Sequence, residues 1–280
     1  MLIDGRKIAT EILKKLKKRV EKLRAKGIIP KLAVILVGAD RPSQTYVRKK
    51  SEAATAVGIE FVLHQLPARI TRKKIIEKIN EIQTDARLSG LIVQLPLPEP
   101  LFTDEVLNAI RPEYDVDCLT DANLGRLVKG DDTILPPTPG AVMAILENLG
   151  VPVSGKNVTI LGTGALVGKP LAIILMNMGA SVTTCNSRTV DTKQKCLQAD
   201  ILISAVGKKD LVRGEMIKEG AIVIDSGVDF VHNQMFGDVN FEEAVVKAGF
   251  VTPTPGGVGP ITVARLLWNT VLCAEKNAKL

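Results

Sequence analysis

Tyr46 and Lys50 stand four residues apart in the run Thr45-Tyr-Val-Arg-Lys-Lys50. A helix predicted over Ser43–Val57 and ended by Gly58 would put both on one face. A phenol beside an amine suits proton transfer. The same spacing also suits a half-buried ring next to an exposed lysine. A third polar group appears in Gly90-Leu-Ile-Val-Gln-Leu-Pro-Leu-Pro98. Leu91, Ile92 and Val93 read as a short buried strand, Gln94 falls where burial should continue, and two prolines end the ladder. An unpartnered buried amide costs roughly 1–3 kcal/mol, so Gln94 meets either a structural partner or a site at the strand's carboxyl end. Asp115 and Asp117, in Tyr114-Asp-Val-Asp-Cys-Leu-Thr120, alternate as in an extended segment. They fit a solvated loop. Asp117 fits equally a carboxylate that takes the adjacent N–H donors of an amino-pyrimidine edge.

Two glycine-rich turns add a different chemistry. The apolar strand Val158–Leu161 runs into Gly162-Thr-Gly164-Ala-Leu-Val-Gly168 and then a helix to Met178. Glycines at such a turn let backbone approach a pyrophosphate, and the helix N-terminus supplies N–H groups and positive potential. The pattern is one residue longer than the usual dinucleotide fingerprint, and the acid expected about 20 residues on is missing. The next strand ends instead in Cys185-Asn186-Ser187-Arg188-Thr189. Its guanidinium and hydroxyls suit a 2′-phosphate, which favours NADP over NAD. Thr252-Pro-Thr-Pro-Gly-Gly-Val-Gly-Pro-Ile-Thr262 is a rigid loop with exposed amides just before a helix, and reads as a ligand loop. Short-chain dehydrogenases also use Tyr-x-x-x-Lys, but downstream of their glycine loop. Here the pair lies more than a hundred residues upstream, and that assignment fails on order.

The elements that must position these groups alternate almost throughout. Strands are predicted at Leu32–Val37, Ile59–Leu63 and Gly90–Gln94. Helices are predicted at Thr71–Arg87, at a segment opened by Thr103 and Asp104, and at Ala141–Leu149 after the punctuated Leu135-Pro-Pro-Thr-Pro-Gly140. A second run places strands at Val158–Leu161, Val182–Cys185, Ile201–Ala205 and Ile222–Asp225, and a last helix at Ile261–Ala278. Two sets of β-α units imply an α/β fold of two domains with mostly parallel sheets. A length of 280 residues allows both.

Composition excludes several classes. Aromatics are 3%, so platforms for stacking nucleic-acid bases are scarce, and no groove-reading motif occurs. No apolar run approaches a membrane span. The N-terminus lacks a secretory h-region, and its basic stretch carries Asp4, Glu11 and Glu21, which disfavours a presequence. Four scattered cysteines and two isolated histidines offer no metal-ligand spacing. They fit reduced thiols in a cytoplasm. The net charge of +7 falls largely on a helix from Lys7 to Lys26, whose apolar stripe is Ile8, Ile12, Leu16, Val20 and Leu23. It reads as a solvated face that would also attract small anions.

Taken together, Thr45-Tyr-Val-x-x-Lys50, Gly90–Pro98, Asp115-Val-Asp117, Val167-Gly-Lys-Pro170, Gly237-Asp-Val239 and Pro255-Gly-Gly-Val-Gly-Pro260 resemble the motifs of the methylenetetrahydrofolate dehydrogenase/methenyltetrahydrofolate cyclohydrolase family, in its order and over nearly the whole chain. The resemblance implies a folate-binding catalytic domain from residues 1–138 plus 260–280, a Rossmann domain over 139–259, and a folate cleft between them. It implies oxidation of 5,10-methylenetetrahydrofolate to the methenyl form with NADP, NAD being usable, and hydrolysis of the product to 10-formyltetrahydrofolate. Lys50 would be the central acid/base group, oriented by Tyr46 and Gln94, with Asp117 anchoring the pterin. Tyr46, Asp117, Pro255, Gly256 and Gly257 would meet substrate. Gly162, Thr163, Gly164, Val167, Gly168, Asn186, Ser187, Arg188, Ala205, Gly207, Asp225, Gly227, Val228 and Gly257 would meet the dinucleotide. A homodimer, with no nucleic-acid or membrane partner, is implied as well. The chain departs from the family's usual pattern at Thr163 and Gly164 (Gly-Arg-Ser), Asn186 (Cys-His-Ser), Cys118 (Asp-Val-Asp-Gly) and Pro137 (Pro-Cys-Thr-Pro). With no arginine at 163, Arg188 and Ser187 would take over the 2′-phosphate. A folate- or nucleotide-binding module without turnover is the alternative from another class.

Overall fold

A computed structural model describes residues 1–98, 101, 104–232 and 234–278. The chain divides into two compact units. One is Glu11–Pro137 with Val263–Leu280, and the other is Met1–Thr10 with Thr138–Thr262.

In the first unit, the part of α1 (Gly5–Ala25) from Glu11 onward leads to β1 (Lys31–Val37), α2 (Arg41–Val57), β2 (Glu60–Leu66), α3 (Arg72–Ile82), β3 (Gly90–Val93), α4 (Asp104–Asn108) and α5 (Asp121–Val128). The three strands form a parallel sheet in the order β2-β1-β3. β1 is central and buried along nearly its whole length, as its unbroken apolar run requires. One face packs against Leu16, Val20 and Leu23 of the α1 stripe, together with Leu266, Leu267 and Val271 from the C-terminal helix. The other face packs against Ile75, Ile79 and Ile82 of α3. The helix that carries Tyr46 and Lys50 is fixed at both ends. The Asp40 carboxylate accepts from Ser43 N–H, Pro42 lies in the first turn, and Gly58 closes the helix at φ 88°.

The second unit holds α6 (Pro137–Asn148), β4 (Asn157–Leu161), α7 (Gly168–Asn177), β5 (Ser181–Cys185), α8 (Thr192–Leu197), β6 (Ile201–Ser204), β7 (Ile222–Asp225), β8 (Asp229–Val231), β9 (Gln234–Phe236), α9 (Phe241–Lys247), β10 (Phe250–Val251) and α10 (Val258–Asn277), the last running on into the first unit. Five parallel strands are ordered β10-β7-β6-β4-β5. The Rossmann-type doubly wound sheet is therefore present. Residues 1–10 group here because Leu2 bridges Val251 and the Ile3 N–H donates to the Val251 carbonyl at 2.9 Å.

Several expectations are corrected. The helix predicted to Arg87 stops at Ile82. Gln83 is instead tied to another segment, accepting from Arg111 N–H at 2.6 Å and donating to the Ala109 carbonyl at 3.0 Å. The punctuated stretch before Ala141 is the first turn of α6, where prolines lose no hydrogen bond because those N–H groups have no helical acceptor. The short helix α5 and the β8-β9 hairpin have no counterpart in the sequence reading. Thr103, expected to open a helix, lies outside the described residues.

Candidate active site

Gln94 follows the last residue of β3, and its backbone N–H still donates to the Ile35 carbonyl at 2.8 Å. The side chain therefore leaves the sheet at its carboxyl end. Its Nε2 donates to the Leu95 carbonyl at 2.6 Å. That contact assigns the amide orientation and leaves Oε1 to accept from Lys50 Nζ at 2.9 Å. The amide that interrupts the apolar run is thus satisfied at both ends. Its partner is the lysine on α2, 44 residues upstream.

Lys50 is half-buried. Burial lowers its pKa, and the nearby Asp117 carboxylate opposes the fall. Asp117 is also half-buried, and burial pushes its pKa up to about 6, against the attraction of Lys50 and with a push from Asp115. Each group thus raises the cost of neutralising the other, while dehydration favours neutral forms of both. Tyr46 lies one turn before Lys50, half-buried, its phenol pushed up by burial. The structure joins Lys50 to Gln94 by a hydrogen bond and to Asp117 by charge, and puts Tyr46 on the same helix face as Lys50.

Asp115 has a different fate from Asp117. It is not part of a solvated loop. Its carboxylate is buried and accepts from Leu119 N–H at 3.0 Å, Thr120 N–H at 2.9 Å, Thr120 Oγ1 at 2.7 Å and Asn123 Nδ2 at 3.0 Å. It organises the entry to α5. The turn carries Cys118 at φ 55°, a left-handed conformation that a side chain makes costly.

In the second unit the glycine turn has the geometry that its spacing predicts. A Cβ on Gly168 would lie 1.9 Å from the Gly162 carbonyl oxygen, and one on Gly162 would lie 2.4 Å from the Ala205 oxygen. Neither position admits a side chain. At Gly164 a Cβ would meet nothing within 4 Å, so the backbone there borders open space at the start of α7. Thr163 and Val167 flank this turn, half-buried. Asn186, Ser187 and Arg188 are exposed just past β5, in a turn closed by Arg188 N–H to Asn186 Oδ1 at 2.9 Å and Asn186 N–H to Thr189 Oγ1 at 2.9 Å. Ala205 and Gly207 follow β6, and Val228 is exposed just beyond β7. The Asp225 carboxylate is turned inward, taking backbone N–H groups of Gly227, Asp238 and Val239. Pro255, Gly256 and Gly257 lie in the loop before α10, where a Cβ on Gly257 would meet Pro253 and Thr252.

Residues 3–117 match the model of the tetrahydrofolate dehydrogenase/cyclohydrolase catalytic domain, and residues 136–278 match that of its NAD(P)-binding domain. The chain belongs to this family. A bifunctional protein FolD from Moorella thermoacetica is 47% identical over 276 residues, which is 98% of this chain and 99% of that protein. The crystal structure of the bifunctional dehydrogenase/cyclohydrolase from Campylobacter jejuni is 40% identical, with a TM-score of 0.96 over 99% of each chain. The Trypanosoma brucei enzyme, solved in complex with NADP cofactor and an inhibitor, is 39% identical, with a TM-score of 0.96 over 100% of this chain and 99% of that one.

The interior carboxylate Asp238, tied to the turn after β6, is not identifiable as such from its sequence neighbours. Its only signal was the motif Gly237-Asp-Val239, whose spacing does not reveal a purpose. Among the described residues no group of histidine, cysteine and carboxylate side chains could hold a metal ion, and no helix is long and apolar enough to cross a membrane.

Proposed function

We propose that this protein oxidises 5,10-methylenetetrahydrofolate to the 5,10-methenyl cation with NADP and hydrolyses that cation to 10-formyltetrahydrofolate. The observation that carries the reading is the 2.9 Å hydrogen bond from Lys50 to a neutral amide. A lysine acts as a base only when part of it is uncharged. Burial favours that, a neutral amide opposes it far less than a carboxylate in its place would, and a bound cation would push in the same direction as burial. In the hydrolytic step Lys50 takes a proton from the water that adds to the bridging carbon. The adduct then breaks its bond to N5 while its hydroxyl oxygen becomes the formyl carbonyl and gives up its proton to water, and the ammonium returns its own proton to N5. Gln94 and Tyr46 orient the amine, and Asp117 accepts from the amino-pyrimidine edge of the pterin.

The dinucleotide fits the second unit. The pyrophosphate would lie on the Gly162–Gly168 turn at the start of α7, where Gly162 and Gly168 admit no side chain and open space begins at Gly164. Arg188 and Ser187 would meet the 2′-phosphate. Gly227, Val228 and the Pro255–Gly257 loop would border the nicotinamide end. NADP, when bound, takes up the hydride from the methylene bridge. The residues here serve to hold and orient it.

A homodimer in the cytoplasm completes the proposal. It rests on the resemblance, on an outer edge of β2 that no other strand among the described residues covers, and on four free buried cysteines that suit a reducing compartment. Light scattering tests the assembly. The decisive functional test is Lys50→Met assayed for both reactions. The expected result is cyclohydrolase nearly abolished with dehydrogenase partly retained, because hydride transfer needs no proton acceptor. Equal loss of both would make Lys50 a substrate-binding residue. Wild-type rates for both would leave Lys50 with a structural role only. Wild-type protein that binds folate and dinucleotide without turning either over would favour the binding-module alternative.

A further inference from the structure

The turn after β6 binds an anion, and the anion is part of the chain. Asp238 is fully buried. Its Oδ2 accepts from Ser204 Oγ at 2.6 Å and Val206 N–H at 2.7 Å, and its Oδ1 accepts from Gly207 N–H at 2.8 Å and Lys208 N–H at 2.7 Å. Successive N–H groups converging on one carboxylate make a nest of the kind that elsewhere holds phosphate. A second carboxylate holds the first in place. Asp225, at the end of β7, accepts from the Asp238 N–H at 3.1 Å, Val239 N–H at 3.0 Å and Gly227 N–H at 3.0 Å. Ser204 and Asp225 are register partners at the ends of β6 and β7, so the two carboxylates sit behind adjacent strand ends. The fit leaves no slack. A Cβ on Gly227 would lie 2.1 Å from Asp238 Cγ, and one on Gly237 would lie 1.9 Å from Asp225 Oδ2. The motif Gly237-Asp-Val239 is therefore a lock whose bolt is Asp238.

We propose that Asp238 is a positioning residue for the dinucleotide: it fixes the Ala205–Lys208 turn in the conformation that receives the cofactor. The inference rests on the reading that Ala205 and Gly207 meet that cofactor. Four donors that point at one place would be left without an acceptor if the carboxylate were removed, and the turn, with Gly207 at φ 79°, would repack to find others. Holding it beforehand removes that ordering cost from cofactor binding. The internal carboxylate also fills the nest. This turn therefore cannot compete with the Gly162–Gly168 turn for the pyrophosphate, which helps fix the direction in which the dinucleotide lies.

The test is Asp238→Asn, which keeps the shape but turns part of the acceptor into a donor. The expected result is a rise of about tenfold or more in the KM for NADP, with kcat at saturating NADP and the KM for methylenetetrahydrofolate within about twofold of wild type. NADPH fluorescence titration should give the same rise in Kd. Ser204→Ala, which removes one donor and leaves the charge, should move the NADP KM in the same direction by less, and covers the case in which Asp238→Asn fails to fold. Gly207→Val tests the underlying reading. If Gly207→Val raises the NADP KM and neither Asp238→Asn nor Ser204→Ala does, the lock is refuted and the cofactor turn stands. If none of the three moves it, the turn does not meet the dinucleotide and both ideas fall. Lower thermal stability with an unchanged NADP KM would make Asp238 a structural residue only, against the proposal.

Discussion

Gln94→Glu would place a full negative charge where Lys50 Nζ now meets a neutral oxygen at 2.9 Å. Two unit charges at that separation attract by about 5–6 kcal/mol at an effective dielectric of about 20. Part of this is returned, because the new carboxylate is itself dehydrated. A net preference for the ammonium of about 3 kcal/mol would lower the free-amine fraction at fixed pH about a hundredfold. Lys50 is held below its ordinary value by burial, and the substitution works directly against that. Cyclohydrolase activity at neutral pH should therefore fall by about two orders of magnitude. The sign of the pH dependence is set by the role of base. Lys50 must lose its proton to act, so the variant's rate should go on rising with pH past the point where the wild type levels off. The assay is the decay of methenyl-cation absorbance over a pH series, with the uncatalysed rate subtracted. Gln94→Met is the control, since it removes the hydrogen bond without adding charge and should lower the rate without moving the profile to higher pH. A Gln94→Glu enzyme with the wild-type pH profile would refute the assignment of Lys50 as base.

Arg188→Ala should lower the preference for NADP over NAD in kcat/KM by about tenfold or more, as loss of a charge-assisted phosphate contact would. An unchanged ratio removes Arg188 from the 2′-phosphate site. Asp115→Asn should cost about 2–3 kcal/mol of stability in urea unfolding, because a buried acceptor of both backbone and side-chain donors becomes in part a donor. A smaller loss than about 1 kcal/mol would mean that the α5 entry holds without it. For Asp117, burial raises the pKa from 3.8 to about 6. The folded state thus prefers the acid, and this contribution to stability is present below 3.8 and lost as pH rises through about 6. Asp117→Asn should escape that loss, gaining about 2–3 kcal/mol near neutral pH while losing folate affinity. Stability no greater than wild type near neutral pH would refute it.

The α/β alternation, both parallel sheets and the glycine turn were legible because each follows from local rules: unbroken apolar runs for buried parallel strands, and glycines where backbone meets backbone. Gln94 was legible as an anomaly, an amide in an apolar run, and the anomaly pointed to a partner. The carboxylates show where such reading stops. Asp115 and Asp117 are two residues apart with the same side chain, and spacing treats them alike. Asp115 is claimed by donors from residues 119, 120 and 123, which reach it only because the chain reverses through Cys118 at a positive φ. Asp117 on the same segment is left to the lysine of α2. Asp238 is a harder case still, since its donors lie thirty or more residues upstream on another strand end. Donors four to eight residues away do not make Asp115 readable as a buried charge, because spacing does not show the turn that delivers them. When the fold supplies them from elsewhere, only a motif remains to mark the place, as Gly237-Asp-Val239 does here. The glycines on either side of that lock, Gly227 and Gly237, are then fixed by carboxylates they do not adjoin in sequence, so each half of the motif is intelligible only through the other.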